Sequence, residues 1–319
     1  MQLRKIAFSR EGKICWYLTR IHFLKRYLYS DTDFMLADIQ VLYESDFYRV
    51  VNFTCQCRHC SVTGPEYSES FCMSFIRKGF FEYRVFRHHL EAHVGRILLS
   101  KPGFEHTTRH IQDQPDLNTI FEFKWSFFRE IAGEETGYGK PFLQNRDIQS
   151  VILNSQPAIE YAYRFILNLI NTDGCGRLQV DQLVLNMLSK VLRMTGDFTP
   201  QAPLPANLLS HHLPTMEKAV EFMNTHFREN ISLKQLSSYC FVSPFHFSRM
   251  FKQTLGVSPH RYLSGIRLTH AKYLLQSSPR PVTDIAYECG FNSLEHFVTA
   301  FRMEFKQSPG LFRKEPGHF

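Results

Sequence analysis

Ser243-Pro244-Phe245-His246-Phe247-Ser248-Arg249-Met250-Phe251-Lys252 is followed, 50 residues further on, by Ser293-Leu294-Glu295-His296-Phe297-Val298-Thr299-Ala300-Phe301-Arg302. The first stretch supplies a serine N-cap and a proline at the first helical position, and Gly256 stands where the helix should stop. The second reads as a cap at Asn292-Ser293-Leu294-Glu295 with its glutamate at N3. Phe247 and Phe251 are four apart, as are Phe297, Phe301 and Phe305, so each helix turns an aromatic stripe inward. Phe245, Ser248, Arg249 and Lys252 are left on the outer face of the first helix. Leu294, Glu295, Val298, Thr299 and Arg302 take the matching places on the second.

A short helix precedes each stretch. Ser232-Leu233-Lys234-Gln235 is a capping-box pattern opening a helix that ends near Cys240, and residues 282–289 form its counterpart before the Gly290-Phe291 turn. Short helix, tight turn, second helix is the helix-turn-helix arrangement, and its duplication at a fixed offset is a specific signal. Ser258-Pro259 caps a long helix running to about Gln276 that joins the two units, and Met216, Ala219, Val220, Met223 and Phe227 mark a helix in front of them. Two positions depart from the pattern. Phe241 stands where the second turn has Gly290, and a bulky residue in the left-handed region costs roughly 1–2 kcal/mol, which favours another turn geometry. Lys306 stands where a helix-stopping glycine would match Gly256.

Charge supports a polyanion partner. Residues 215–319 carry 13 Lys and Arg against 8 Asp and Glu, a net of +5 out of the whole chain's +7. Residues 196–214 hold Pro200, Pro203, Pro205 and Pro214 with little charge, and read as an extended, semi-rigid connector. Upstream, Phe71, Met73 and Phe75, then Phe81, Tyr83 and Val85, then Thr119, Phe121 and Phe123 alternate with their neighbours, the period of antiparallel strands. The period then changes to helical. Ile159, Tyr163, Ile166, Leu167 and Ile170 make one stripe, and Val180, Leu183, Val184, Met187, Leu188 and Val191 a second. The second stripe is open to two readings, packing on the β unit or a helix–helix interface between two copies.

Residues 216–313 resemble the DNA-binding domain of the AraC/XylS family of bacterial transcription regulators. The carrying residues are Leu236, Ser243-Pro244-Phe245-His246-Phe247-Ser248-Arg249-Met250-Phe251, Lys252, Gly256, Ser258-Pro259, Tyr262-Leu263, Arg267-Leu268, Ala271, Leu274-Leu275, Ile285-Ala286, Gly290-Phe291, His296-Phe297, Phe301-Arg302, Ser308-Pro309 and Arg313. The resemblance implies that bases are read from Phe245, Ser248 and Arg249 on the first helix and from Leu294, Glu295, Val298 and Thr299 on the second. Lys252 and Arg302 are expected to meet phosphates. Arg249 is the foremost base reader, since arginine pairs bidentately with guanine. Relatives often carry arginine where Thr299 stands; here threonine and valine suit a thymine methyl, and Glu295 suits cytosine N4 or simply caps the helix. The implied partners are double-stranded promoter DNA, RNA polymerase and a small-molecule effector, with the chain acting as a homodimer.

Residues 95–106, with Pro102, Gly103 and His106 in order, resemble the second half of a cupin signature, and many AraC/XylS relatives carry a cupin-like sensor barrel. No His-x-His motif precedes it in residues 71–90, so the expectation is an effector pocket touching His106 and no metal or other cofactor. Two competing readings remain open. A cupin enzyme would need the missing motif. A cysteine-based sensor, of the kind fused to this DNA-binding domain in DNA-repair relatives, would use Cys55, Cys57 and Cys60, with Cys72 further on. That cluster lacks the paired Cys-x-x-Cys spacing of structural zinc sites, and buried thiols are the expectation.

The expected fold class is α+β. A cupin-like β-barrel with two following helices occupies residues 1–195 for sensing and dimerisation, a proline-rich linker residues 196–214, and an all-α domain with two helix-turn-helix motifs residues 215–319. A composition of 44% hydrophobic and 21% charged residues excludes a disordered chain. The lack of any apolar run of 18, of a signal-peptide pattern, and of dense cysteines points to a cytoplasmic, non-membrane, non-enzymatic regulator.

Overall fold

Among the described residues, period-2 alternation in the middle of the chain becomes ten strands, and period-3.6 patterning around and after them becomes eleven helices. The computed structural model describes residues 37–56, 62–111, 115–133, 140–172, 176–196 and 206–314. The strands are β1 (Ala37–Glu44), β2 (Tyr48–Cys55), β3 (Glu66–Tyr67), β4 (Ser70–Lys78), β5 (Phe81–Val85), β6 (His88–Ala92), β7 (Arg96–Ser100), β8 (Glu105–His110), β9 (Leu117–Lys124) and β10 (Ser150–Asn154). The helices among and after them are α1 (Trp125–Gly133), α2 (Lys140–Gln144), α3 (Pro157–Ile170) and α4 (Arg177–Met194). The C-terminal series is α5 (Ala206–His226), α6 (Leu233–Tyr239), α7 (Pro244–Leu255), α8 (Pro259–Ser277), α9 (Val282–Glu288), α10 (Leu294–Phe305) and α11 (Pro309–Lys314).

The strands form a six-stranded sheet in the order β1-β2-β9-β4-β7-β10 and a four-stranded sheet in the order β3-β8-β5-β6. All their ladders are antiparallel. Alternation assigns the larger sheet's two faces. Phe71, Met73, Phe75, Ile97, Leu99, Phe121 and Phe123 bury one face against helices α3 and α4. Ile76 and Leu98 on the other face meet Phe81, Tyr83 and Val85 of the smaller sheet. The turn after β7 uses Gly103 at φ 83° and delivers His106 into β8. Among the described residues no helix is long and apolar enough to cross a membrane.

Two sequence expectations need correction. The stripe Val180, Leu183, Val184, Met187, Leu188 and Val191 is not a surface for a second copy. All but Leu183 are buried in the core under the larger sheet, and Leu183 packs against its edge. Amphipathic spacing reports that a face is buried, not against what, and here the partner is the chain's own core, which α4 shares with α3 and the larger sheet. The second correction concerns the connector. Its second half is helical, because α5 begins at Ala206 and carries Pro214 within it. An interior proline forfeits one backbone hydrogen bond and costs about 3 kcal/mol. Leu213, Met216, Ala219, Val220 and Met223 are buried alongside it, and large apolar side chains contribute about 1.5–3 kcal/mol each, so burial wins. Residues 197–205 of that connector lie outside the described residues.

Helix α3 is the element through which the β-rich part grips the helical part. Pro157 of α3 lies so close to Gly265 of α8 that a Cβ there would come within 2.7 Å of the proline's own Cβ. Arg164 of α3 donates to Glu221 of α5 at 2.8 Å. Glu217 of α5 accepts from the backbone N–H of Gly79, at the turn between β4 and β5, at 2.8 Å. A Cβ on Gly95, before β7, would likewise strike Leu255 at the end of α7.

Candidate nucleic-acid interface

Local chemistry sets the ends of the two candidate recognition helices. Ser243 accepts from the His246 N–H at 3.4 Å and Ser293 from the His296 N–H at 3.2 Å, so each helix opens on a serine N-cap. The second cap is Ser293 rather than Asn292, which puts Glu295 one position nearer the helix start than its sequence pattern indicated. Helix α6 carries the full capping box, Ser232 and Gln235 each satisfying the other's backbone N–H. Helix α7 ends on Gly256 at φ 76° and α10 on Lys306 at φ 62°, both left-handed. Lysine thus takes the geometry that glycine takes in the first copy. Phe241 does the same at φ 58°, matching Gly290 at φ 83°. The expectation of a different first turn is therefore overturned; the motif's packing holds both turns in one shape, and the phenylalanine bears the local strain.

The inward stripes lie as the spacing required. Phe247 and Phe251 are fully buried with Met250, and Phe297 and Phe301 are fully buried in a separate core with Phe312. On the outer face Phe245 is 79% exposed, Arg249 and Lys252 are exposed, and Ser248 is half-buried. On α10, Glu295, Thr299 and Arg302 are exposed. Leu294 and Val298 are half-buried and pack against the core, so of the proposed readers they are turned furthest from the outer face. The exposed set on α7 thus offers a cation and an aromatic ring, and that on α10 a carboxylate, a hydroxyl with its methyl, and a cation. These are groups that reach base edges and phosphates from a helix lying in a major groove.

Helix α8 fixes the two units in one frame. It is capped by Ser258 and spans 19 residues, about 28 Å at 1.5 Å per residue. Its Arg267 reaches back to the end of α5, donating from Nε to the Phe227 carbonyl at 2.7 Å and from Nη2 to the Glu229 carbonyl at 2.6 Å. Gly290 of the second turn shares the Phe227 carbonyl, and a Cβ there would lie 2.8 Å from the oxygens of Phe227 and Arg228. Where the units meet, a small pocket is lined by Asn230, Ile231, His260, Leu263, Ser264, Arg267, Phe291, Asn292 and His296. Sequence reading missed it, since its residues come from three separate segments and only His260, Leu263, Ser264 and Arg267 share a local spacing, which by itself names no pocket.

The buried His270 of α8 is another feature without a sequence signal. Its Nε2 lies 3.3 Å from the Arg228 guanidinium, which can only donate, and its Nδ1 lies 2.6 Å from the Tyr161 hydroxyl. Nε2 must therefore accept and Nδ1 carry the hydrogen, a neutral imidazole. Burial, with Arg228 adding to it, pushes its pKa down to about 4.

In the β-rich part His106 is buried, stacked on Tyr83 with ring centroids 4.7 Å apart and 3.6 Å from the Glu66 carboxylate. It points between the two sheets. Of the cysteine cluster, Cys57 and Cys60 lie outside the described residues. Cys55 is buried at the end of β2, while Cys72 on β4 contacts Ser68 at 3.3 Å, with burial pushing its thiol up to about 12. Cys55 is grouped with His110 and Asp116 rather than with Cys72.

Comparison with known proteins bears on the C-terminal third. A family described as "Helix-turn-helix domain" matches residues 236–315. The HTH-type transcriptional activator RhaS of an Enterobacter species is 37% identical over 99 residues, 31% of this chain and 36% of that protein. The Escherichia coli RhaS is 41% identical over 93 residues, 29% of this chain and 34% of that protein. This chain thus spans about a third of the length of the curated relatives it matches. Among solved structures, the C-terminal domain of AraT, a response regulator from Geobacillus stearothermophilus, is 31% identical, with 33% of this chain and 93% of that domain covered at a TM-score of 0.31.

Proposed function

We propose that this chain, whose C-terminal third is a helix-turn-helix domain of the AraC/XylS type, is a sequence-specific DNA-binding transcription activator controlled by a small-molecule effector. The observation that carries the reading is the pair of capped helices α7 and α10, each with its aromatic stripe buried and its polar face open, held by the single helix α8. Two such helices on one frame suit successive major grooves on one face of double-stranded DNA. Arg249 reads a base, with Phe245 and Ser248 beside it; Glu295 and Thr299 read the second groove, with Leu294 and Val298 seating that helix. Lys252 and Arg302 pair with phosphates. The activator sense follows from the printed names of the RhaS relatives, and it entails a contact with RNA polymerase.

The two facing sheets serve, in this reading, as a cupin-like sensor, with His106 and Tyr83 reaching an effector between them. The contacts of α3 with α5 and α8 carry its state to the DNA-binding frame. Assembly as a homodimer uses a surface other than the α4 stripe, which the chain's own core occupies. The chain acts in the cytoplasm, where promoter DNA is. Nuclease footprinting of the full chain on genomic fragments, repeated across a panel of small metabolites, tests the whole proposal. Protection of two segments one helical turn apart, altered by one compound, is the expected result. Protection without sequence preference overturns it.

A further inference from the structure

Cys55, His110 and Asp116 come from three separate places: the end of β2, the end of β8 and the residue before β9. One donor atom from each lies within 4.8 Å of the others, and all three residues are buried. His110 Nε2 stands 2.5 Å from Asp116 Oδ1, and the Cys55 N–H donates to the Asp116 carbonyl at 2.9 Å, so backbone and side chains lock the group together. Asn118 donates to the other carboxylate oxygen of Asp116, fixing its orientation. The remaining imidazole nitrogen, His110 Nδ1, is buried and has no hydrogen-bond partner.

We propose that Cys55, His110 and Asp116 form a metal site for a divalent cation of zinc-like chemistry, where the ends of β2, β8 and β9 meet. One thiolate, one imidazole and one carboxylate make a mixed sulfur, nitrogen and oxygen set that suits zinc and leaves a fourth position for water. Zinc–ligand bonds of about 2.0–2.3 Å at tetrahedral angles put donors roughly 3.3–3.6 Å apart. The present separations, 2.5 Å for one pair and up to 4.8 Å over the set, bracket that value, so side-chain shifts of about 1 Å close the site. Charge balances. Binding takes one proton from the Cys55 thiol and one from the His110–Asp116 pair, and thiolate, neutral imidazole and carboxylate offset the two positive charges of the metal. Asn118 is then the partner that orients the carboxylate ligand. The site differs from the cysteine-only cluster considered from sequence, since two of its three ligands lie 55 and 61 residues beyond Cys55.

The full chain, loaded with zinc and dialysed against metal-free buffer, is assayed by plasma mass spectrometry, and a cobalt-loaded sample is examined for thiolate-to-metal charge-transfer absorption. About one zinc per chain and a clear charge-transfer band are expected. Cys55→Ser abolishes the band, Asp116→Asn lowers zinc retention at least tenfold, and Asn118→Ala, which removes no ligand, weakens binding about 10–100-fold. Circular dichroism checks that each variant is folded; if Cys55→Ser or Asp116→Asn is not, Asn118→Ala and the wild-type band decide. Wild-type chain that retains no zinc overturns the proposal. So does cobalt-loaded wild type without the band, or Cys55→Ser that keeps it, since the thiolate would then come from elsewhere in the chain.

Discussion

At the scale of single residues, the two helix-turn-helix copies pose one backbone problem with two side chains. Phe241 and Gly290 both hold positive φ, at 58° and 83°. Phe241 is 90% exposed, so little packing offsets its strain. Replacing it with glycine should stabilise the fold by about 0.5–1 kcal/mol, the relief of left-handed strain less the entropy that glycine loses on folding. Gly290→Ala should do the opposite, costing about 2 kcal/mol or more, because strain adds to a Cβ pressed against the carbonyls of Phe227 and Arg228. Thermal melting of both variants reads the two signs, and equal shifts would refute the argument. Arg249→Ala should keep the wild-type melting curve and lose about 1–3 kcal/mol of preference for the cognate site over random DNA, measured by competition binding. Exposure of Arg249, Lys252, Glu295 and Thr299 was legible because helical periodicity alone fixes which side faces out. The half-burial of Leu294 and Val298 was not, because it depends on how closely α10 sits on its neighbours.

Among elements, α8 bears the most constraints. It carries both helix-turn-helix units, accepts α3 along its Gly265 side and buries His270 against Tyr161 of α3 and Arg228. That histidine gives the junction a pH dependence whose sign can be worked out. Its pKa is about 4 in the fold against about 6.5 unfolded, so its contribution is complete above pH 6.5 and is lost as the pH falls towards 4. Between pH 6.5 and 5 the loss is about 2 kcal/mol by linkage. His93, lowered to about 3 by burial and by Arg96, adds a loss of the same sign. His110 does not cancel them. Burial opposes its charge, but Asp116 and Cys55 raise its pKa to about 9, so its effect falls above pH 6.5. Melting temperature should therefore drop between pH 6.5 and 5, and His270→Gln should drop about half as much; an unchanged slope in that variant would remove His270 from the account. Element identity was readable wherever it was written locally, as in the serine caps of α7 and α8; the cap of α10 was read one residue early. It was misread or left open where a distant partner decided it: Pro214 argues against a helix until the burial of Leu213 and Met216 is weighed, and the α4 stripe names no partner until the core shared by α3 and the larger sheet is seen.

Across the whole molecule, what matters for DNA is that α7 and α10 are not tethered independently. The α8 helix has no proline beyond its first position, and Arg267 ties it to the end of α5, next to the turn that precedes α10. A frame of this kind cannot stretch to follow its target. If both helices read successive major grooves, the two recognised segments must lie about 34 Å apart on one face, about 10.5 base pairs centre to centre. Inserting five base pairs between them turns one segment to the opposite face. Inserting ten restores the face but adds about 34 Å of distance. A protein that engages the segments through flexibly joined modules tolerates the second insertion and not the first. This chain should tolerate neither, each insertion reducing affinity to that of one helix-turn-helix unit, with a correspondingly smaller salt dependence because the phosphate contacts of one unit are lost. Titration of the intact site and the two insertions at several salt concentrations separates these outcomes. Recovery of full affinity with the ten-base-pair insertion would mean that the α8 frame does not set the spacing, and that two copies of the chain, or two flexibly joined units, do so instead.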